Sequence, residues 1–316
     1  MRRLDLYYTP QFLEHKTGAH PECPERVAVC IKHLSSSASD NLRVVAPRRA
    51  DLADVGRVHD AGLVAAVESL ARAGGGEVDF DTVVSEGSFD AALDAAGAAI
   101  DAATAVAQGG CDASFALVRP PGHHATRSRA MGFCLFNNVA IAARRLLAQE
   151  GLRRIAILDF DVHHGNGTQE AFYEDPRVLF VSFHRFPFYP GTGRREETGA
   201  GPGKGYTVNV PLPGNTSAAR YLSLWDEVLE EKVKPFRPEI LLVSAGFDNY
   251  SRDPVGGLNF EPPDFRDIGR LVLRLADANC GGKVAGVLEG GYDLDALPRC
   301  LEAYLQGLGA LPAGTA

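Results

Sequence analysis

The stretch ILDFDVHHGNGTQ, residues 157–169, places two aspartates and two histidines within six positions, between an apolar run and a pair of glycines. Side chains alternate between faces along an extended chain, so Asp159, Asp161 and His163 share one face and His164 takes the other. A carboxylate and an imidazole two residues apart at a strand end can point at one ion. Catalytic zinc takes three protein ligands and keeps a fourth position open for water or substrate. Asp161 and His163 supply two ligands. A third must come from another strand end, and Asp248, in SAGFDN (244–249), is the best candidate, because its strand is apolar right up to it. Either aspartate alone would read as the cap of the loop that follows it. At equivalent strand ends, together with His163, they read as a metal site.

Two further stretches carry chemistry. In RPPGHHA (119–125), two prolines and a glycine present His123 and His124 on a stiff loop. With carboxylates and a histidine already available to the metal, this pair suits acid/base work, since imidazole titrates near neutral pH. In LEGGYD (288–293), Gly290 and Gly291 let the backbone turn close to a ligand, and the Tyr292 hydroxyl could donate to a developing oxyanion. Taken alone, Tyr292 could equally be a tyrosine on a turn. Histidines 15, 20, 33, 59, 164 and 184 read as scaffold.

The elements that must position these residues are legible in outline. Strands are predicted at 113–120, 154–160, 177–184, 206–212, 239–247 and 283–291, mostly apolar throughout and rich in Val, Ile and Leu. Helices are predicted at 88–110, 137–151, 216–236 and 262–282, bounded by capping residues, prolines and glycines. Such alternation predicts an α/β fold, a parallel sheet with helices on both faces. In sheets of this kind ligands bind beyond the carboxyl ends of the strands. RPPGHH, DFDVHHGNG, FDN and GGYD each follow a predicted strand.

With 316 residues, no internal repeat and no long linker, a single domain over 1–316 is expected. No apolar run approaches the roughly 20 residues of a membrane span. The start, MRRLDLYYTP, has no apolar region of signal-peptide type. A net charge of −8 without a basic run argues against nucleic acid as partner. Cysteines 23, 30, 111, 134, 280 and 300 form no C-x-x-C and suit idle thiols in a reducing cytoplasm, the expected location.

Taken together, RPPGHHA, GFCLFNN, DFDVHHGNGTQ, SAGFDN, DPVGG and EGGYD resemble the histone deacetylase and acetylpolyamine amidohydrolase superfamily, in the family's order, from HPECPER (20–26) to EGGYD. The resemblance implies an arginase/deacetylase-type fold with about eight parallel strands in a three-layer arrangement. It implies Zn2+ on Asp161, His163 and Asp248, His123 and His124 as the acid/base pair, and Tyr292 as the group that polarises the carbonyl. Asp159 would back His123 and join a structural K+ site with the carbonyls of Asp161 and His163, the Ser182 side chain and the Phe183 carbonyl. Phe133 and Tyr189 would wall an acyl-lysine tunnel lined by Gly132, Asp81 would hold the substrate backbone, and Arg26 would lie near an internal acetate channel. Val255 stands where polyamine-selective members carry an acid, and Gly290 belongs to the substrate turn. Asn166 replaces an aspartate behind the second histidine and, like HPECPER, resembles the class II branch.

The implied activity is zinc-dependent hydrolysis of an acyl amide. The substrate would be an acylated lysine of a protein or peptide, or alternatively a small acylated amine such as an acetylpolyamine. A binuclear manganese ureohydrolase would need further acids where Gly165 and Asn249 stand. A non-enzymatic acyl-binding relic would be expected to have lost a ligand or Tyr292.

Overall fold

The computed structural model describes residues 1–36 and 40–312, so the domain expected over 1–316 is described without residues 37–39 and 313–316. The strands are β1 (Leu4–Tyr7), β2 (Leu42–Val45), β3 (Gly75–Asp79), β4 (Thr82–Ser85), β5 (Ala113–Ala116), β6 (Ile155–Asp159), β7 (Val178–Arg185), β8 (Thr207–Leu212), β9 (Ile240–Ala245) and β10 (Val284–Leu288). Eight form one sheet in the order β2-β1-β5-β10-β9-β6-β7-β8. Every neighbouring pair in it runs parallel. β1, β5, β6, β9 and β10 are buried at every position. That is why β6, β9 and β10 read as nearly continuous apolar runs rather than alternating ones.

Helices flank the sheet. Ser88–Ala107 and Asn138–Gln149 pack on each other, the former against β1, β5 and β10 and the latter against β9. Pro262–Cys280 packs with Leu297–Gly307 and against β9 and β10. The Ser88–Ala107 helix buries eight alanines among its core residues. Small side chains on nearly every face let it lie close to both the sheet and its neighbours. Pro262–Cys280 begins with a Glu261/Asp264 capping box and ends at Gly281 in the left-handed conformation (φ 61°).

The six predicted strands and four predicted helices are all present, with shifted boundaries. β5, β9 and β10 stop at Ala116, Ala245 and Leu288, earlier than predicted, so the chemistry-bearing residues sit on the loops just beyond. The predicted helix 216–236 is regular only over Ala218–Val228. It widens to a π turn at Leu229–Val233 before the short Lys234–Phe236 turn. Pro235 has no N–H for a helical hydrogen bond, and the widening lies immediately before it. β1, β2 and the antiparallel hairpin β3–β4 were not predicted. β1 and β2 are four residues long among charged neighbours, and β3 contains two glycines.

Candidate functional site

β5, β10, β9 and β6 are consecutive in the sheet and end nearly level. Ala116 pairs with Val287, Leu288 with Ala245, and Asp159 with Ser244. Four loops therefore leave one edge side by side. They carry His123 and His124, then Glu289 to Tyr292, then Asp248, then Asp161 and His163. All of these side chains are buried.

On this edge the Nδ1 of His163 lies 3.0 Å from Asp161 Oδ1 and 3.1 Å from Asp248 Oδ2. The three candidate ligand atoms all lie within 4.8 Å of one another. Bonds of about 2.0–2.2 Å from one zinc would span such a set. The local field favours a cation. Burial disfavours a charged His163, yet Asp161 and Asp248 raise it to about 9. Burial and then the charge of Asp161 push Asp248 up to about 7. Asp161 is held well below the carboxylate range, against burial, by His123 and His163. The donor set thus fits a divalent ion held by two oxygens and one nitrogen. The capping role of aspartate is also real here. Asp161 accepts the N–H groups of His163 (2.9 Å) and Gly290 (2.8 Å), and Asp248 accepts that of Val162 (3.0 Å). These bonds aim the carboxylates.

Asp159 lies one step further in. Its Oδ2 is 3.0 Å from His123 Nδ1, and its Oδ1 accepts the Asp161 N–H at 3.1 Å. Among the described residues, no hydrogen-bond donor reaches the carbonyl oxygens of Asp161 or His163. Buried carbonyls need a partner, and these fit a monovalent cation beside Asp159. Ser182, whose Oγ is 3.0 Å from His184 Nδ1, lies on β7 directly opposite Asp159. Phe183 follows it.

His123 and His124 pack with ring centroids 4.0 Å apart and planes tilted by 43°, but sit in opposite electrostatic settings. Burial opposes the charge of His123, but Asp161 and Asp159 raise it to about 10. Burial, then the charges of His123 and His163, push His124 well below its ordinary value. The Nδ1 of His124 faces the amide oxygen of Asn166 at 2.8 Å, an acceptor. The proton is therefore on Nδ1, and Nε2 keeps its lone pair.

A cavity of 150 Å3 is lined by Asp81, His124, Gly132, Phe133, His163, Phe188, Tyr189, Val255 and Tyr292. Phe188 stacks on His163, centroids 5.1 Å apart and planes 13° apart, whereas Tyr189 meets His124 edge-on. Met131 and Cys134 exchange backbone hydrogen bonds across Gly132 (φ 57°) and Phe133 (φ 68°). Two consecutive left-handed residues make this a type I′ turn, which is unfavourable for Phe. The turn throws the Phe133 ring onto the cavity wall, 5.7 Å from the Tyr292 ring. A Cβ at Gly132 would lie 2.6 Å from the His124 ring and 2.9 Å from the Tyr189 hydroxyl.

Arg26 and Gly290 lie behind the cavity wall. Arg26 is fully buried, with its guanidinium 4.6 Å from the centroid of the Tyr292 ring. It donates to the carbonyls of Gly291 and Glu289, both at 2.6 Å, and to Glu22. Gly290 backs the carboxylates, and its N–H is taken by Asp161. The Tyr292 phenol is pushed well above 10 by burial, against Arg26, which keeps its proton available for donation.

Several supporting residues escaped the sequence reading. Glu22 joins Arg26 and Arg119 in a buried ion cluster. Asp253 accepts the Tyr292 N–H at 2.7 Å, Thr82 accepts that of Phe133 at 3.1 Å, and Glu289 accepts that of His123 at 3.0 Å. Each acts on backbone N–H groups or on other buried side chains, which residue type and spacing do not advertise. Phe188 was passed over beside Tyr189, and the FPFYP stretch (186–190) was the available signal.

Comparison with known proteins gives the same frame. A model of the histone deacetylase domain matches residues 20–308. A probable deacetylase of Archaeoglobus fulgidus is 44% identical over 298 residues, covering 93% of this chain and 82% of that one. Histone deacetylase 14, chloroplastic, of Arabidopsis thaliana is 38% identical, covering 92% and 73%. The crystal structure of the HDA15 HD domain superposes with a TM-score of 0.90 at 36% identity, covering 98% of this chain and 90% of that one. Among the described residues, no helix is long and apolar enough to cross a membrane. A match running from the HPECPER segment past Tyr292, over an eight-stranded parallel sheet, means that this chain belongs to the histone deacetylase and acetylpolyamine amidohydrolase superfamily.

Proposed function

We propose that the protein is a deacetylase that hydrolyses the acyl amide of an acylated lysine side chain. The observation that carries this reading is the convergence of Asp161, His163 and Asp248 beneath a cavity that also receives His124 and Tyr292. Asp161, His163 and Asp248 would hold zinc, which when bound supplies Lewis acidity toward the acyl carbonyl and a water of lowered pKa. Asp159, Ser182 and the carbonyls of Asp161, His163 and Phe183 would hold potassium.

The chain's own groups do the rest. Phe133 and Phe188 flank the apolar stem of the acyl-lysine, and Asp81 at the cavity wall accepts from its backbone. His124, neutral and with a free Nε2, takes the proton of the attacking water. His123, kept charged by Asp161 and Asp159, stabilises the negative charge that forms. Tyr292 donates its hydroxyl proton in a hydrogen bond to the developing oxyanion. The proton on His124 then passes to the departing amine nitrogen as the C–N bond breaks, which restores the neutral imidazole.

Position 255 favours lysine over a polyamine, because a valine there offers no charge to a second ammonium. A small acylated amine is the alternative substrate. Turnover of an acetyl-lysine peptide and of acetylputrescine, by protein carrying one zinc per chain by mass spectrometry, tests both. The first substrate should be the better. Faster turnover of acetylputrescine would overturn the lysine assignment. No turnover of either would overturn the hydrolase reading, and two divalent metal ions per chain would overturn the mononuclear one.

A further inference from the structure

Glu289 is a fully buried carboxylate that the reaction above does not use. Its Oε2 accepts the backbone N–H of Gly122 at 2.7 Å and of His123 at 3.0 Å. Its Oε1 accepts the Ser244 hydroxyl at 3.1 Å. The residue's backbone is equally committed: its N–H goes to Ala245 (2.9 Å), and its carbonyl accepts Arg26 (2.6 Å). One side chain thus joins the ends of three adjacent strands, namely the histidine loop after β5, Ser244 at the end of β9, and β10 itself. Tyr292 lies three residues further along.

We infer that Glu289 is the positioning residue that fixes the acid/base pair relative to the Tyr292 hydroxyl. The inference rests on the hydrolytic reading above. RPPGHH is a loop, and a loop alone would let the histidines wander. From the other side, the His123 carbonyl accepts the N–H groups of Gly167 (3.0 Å) and Thr168 (3.2 Å). The His123 ring is held by Asp159. Glu289 supplies the remaining constraint, on the N–H side of the His123 peptide. Two convergent N–H groups form a small anion-accepting nest. Here the acceptor is Glu289, the first residue beyond β10, on the segment that carries the oxyanion donor. Any displacement of β10 therefore carries the histidine loop with it, and the distance between proton acceptor and oxyanion donor is preserved.

Geometry and charge can be separated. Glu289→Gln keeps the reach: the amide oxygen can accept both N–H groups while the amide nitrogen donates to Ser244 Oγ. Glu289→Asp keeps the charge but draws the carboxylate back by one methylene. Positioning predicts that E289Q retains most of the wild-type kcat. It predicts that E289D and E289A lose about 10- to 100-fold in kcat with little change in KM, the usual cost of losing an outer-shell partner. A merely structural role would lower the melting temperature but leave kcat per folded molecule unchanged.

A second readout needs no activity. Amide exchange at Gly122 and His123, followed by NMR, should be slow in wild type and E289Q and fast in E289D and E289A. If E289A does not fold, the Asp and Gln variants decide. Wild-type kcat and wild-type exchange in E289D would overturn the inference, as would an E289Q variant as inactive as E289A. A wild-type protein that cleaves no acyl amide would sink the hydrolase reading instead, and the exchange rates alone would then decide whether Glu289 holds the loop.

Discussion

Tyr292 and His124 face the same cavity but owe their states to different neighbours. Burial holds the phenol protonated against the pull of Arg26, while burial together with the charges of His123 and His163 keeps His124 neutral. Tyr292→Phe should therefore fold and bind metal normally yet lose about 100- to 1000-fold in kcat, the typical cost of one oxyanion donor. Steady-state kinetics with metal content measured on the same sample checks this, and full activity would remove Tyr292 from the reaction. Gly132→Ala should fail for a different reason. The added methyl meets the His124 ring and forces a left-handed position on alanine, so activity should be nearly abolished while zinc content stays near one per chain. At this scale the sequence was most informative where side chains do chemistry. Asp161, His163, Asp248, His123, His124 and Tyr292 follow strands and are chemically capable types. Glu289, Asp253 and Glu22 were illegible because their partners are backbone amides or ions distant in sequence.

Among the elements, the buried parallel strands β6, β9 and β10 were readable because burial on both faces leaves no alternation to confuse, whereas β1, equally buried, is only four residues long and carries Asp5. The β3–β4 hairpin was not, because its residues are half-exposed and its glycines look like loop. Yet this hairpin leads through Phe80 to Asp81 and supplies Thr82 to Phe133. The segment before Arg26 was also read without structure, and it turns out to anchor the site. Glu22 is fully buried between Arg119 (2.6 Å) and Arg26 (3.1 Å), with His15 at 3.4 Å. Burial would raise its carboxyl, but Arg119 and His15 hold it well below the usual range. A depressed folded-state value stabilises the protein above the ordinary carboxylate range and is lost as pH falls below it. Glu22→Gln should then cost about 3–5 kcal/mol by leaving two guanidiniums uncompensated. Urea unfolding near neutral pH should show this loss. The difference from wild type should shrink in acid, and a pH-independent difference would refute the ion-cluster account.

For the molecule as a whole, the proposed metal centre would also be a stability term. Asp161 and Asp248 are forced together without solvent, and any ion that binds only the folded chain stabilises it. Zinc at a thousandfold excess over its dissociation constant adds about 4 kcal/mol. Treatment with a chelator should abolish turnover and lower the melting temperature, and zinc should restore both. An unchanged melting temperature would argue against Asp161, His163 and Asp248 as the site. The 150 Å3 cavity opens at the same edge of the sheet and, in the proposed reaction, would set the substrate's size. Long-chain acyl-lysine peptides should be poorer substrates than acetyl-lysine in a panel at matched concentration.

The two carboxylates proposed as zinc ligands, and Asp159 behind them, are each shadowed by a glycine. A Cβ at Gly165 would run into Asp159, one at Gly246 into Asp161, and one at Gly290 into Asp248. In a library scoring every single substitution, these positions would tolerate nothing, not even alanine, although none carries a functional group. The centre would appear as its own silhouette, drawn by residues that take no part in the chemistry. A ranking of positions by intolerance would place these spacers beside the ligands they accommodate.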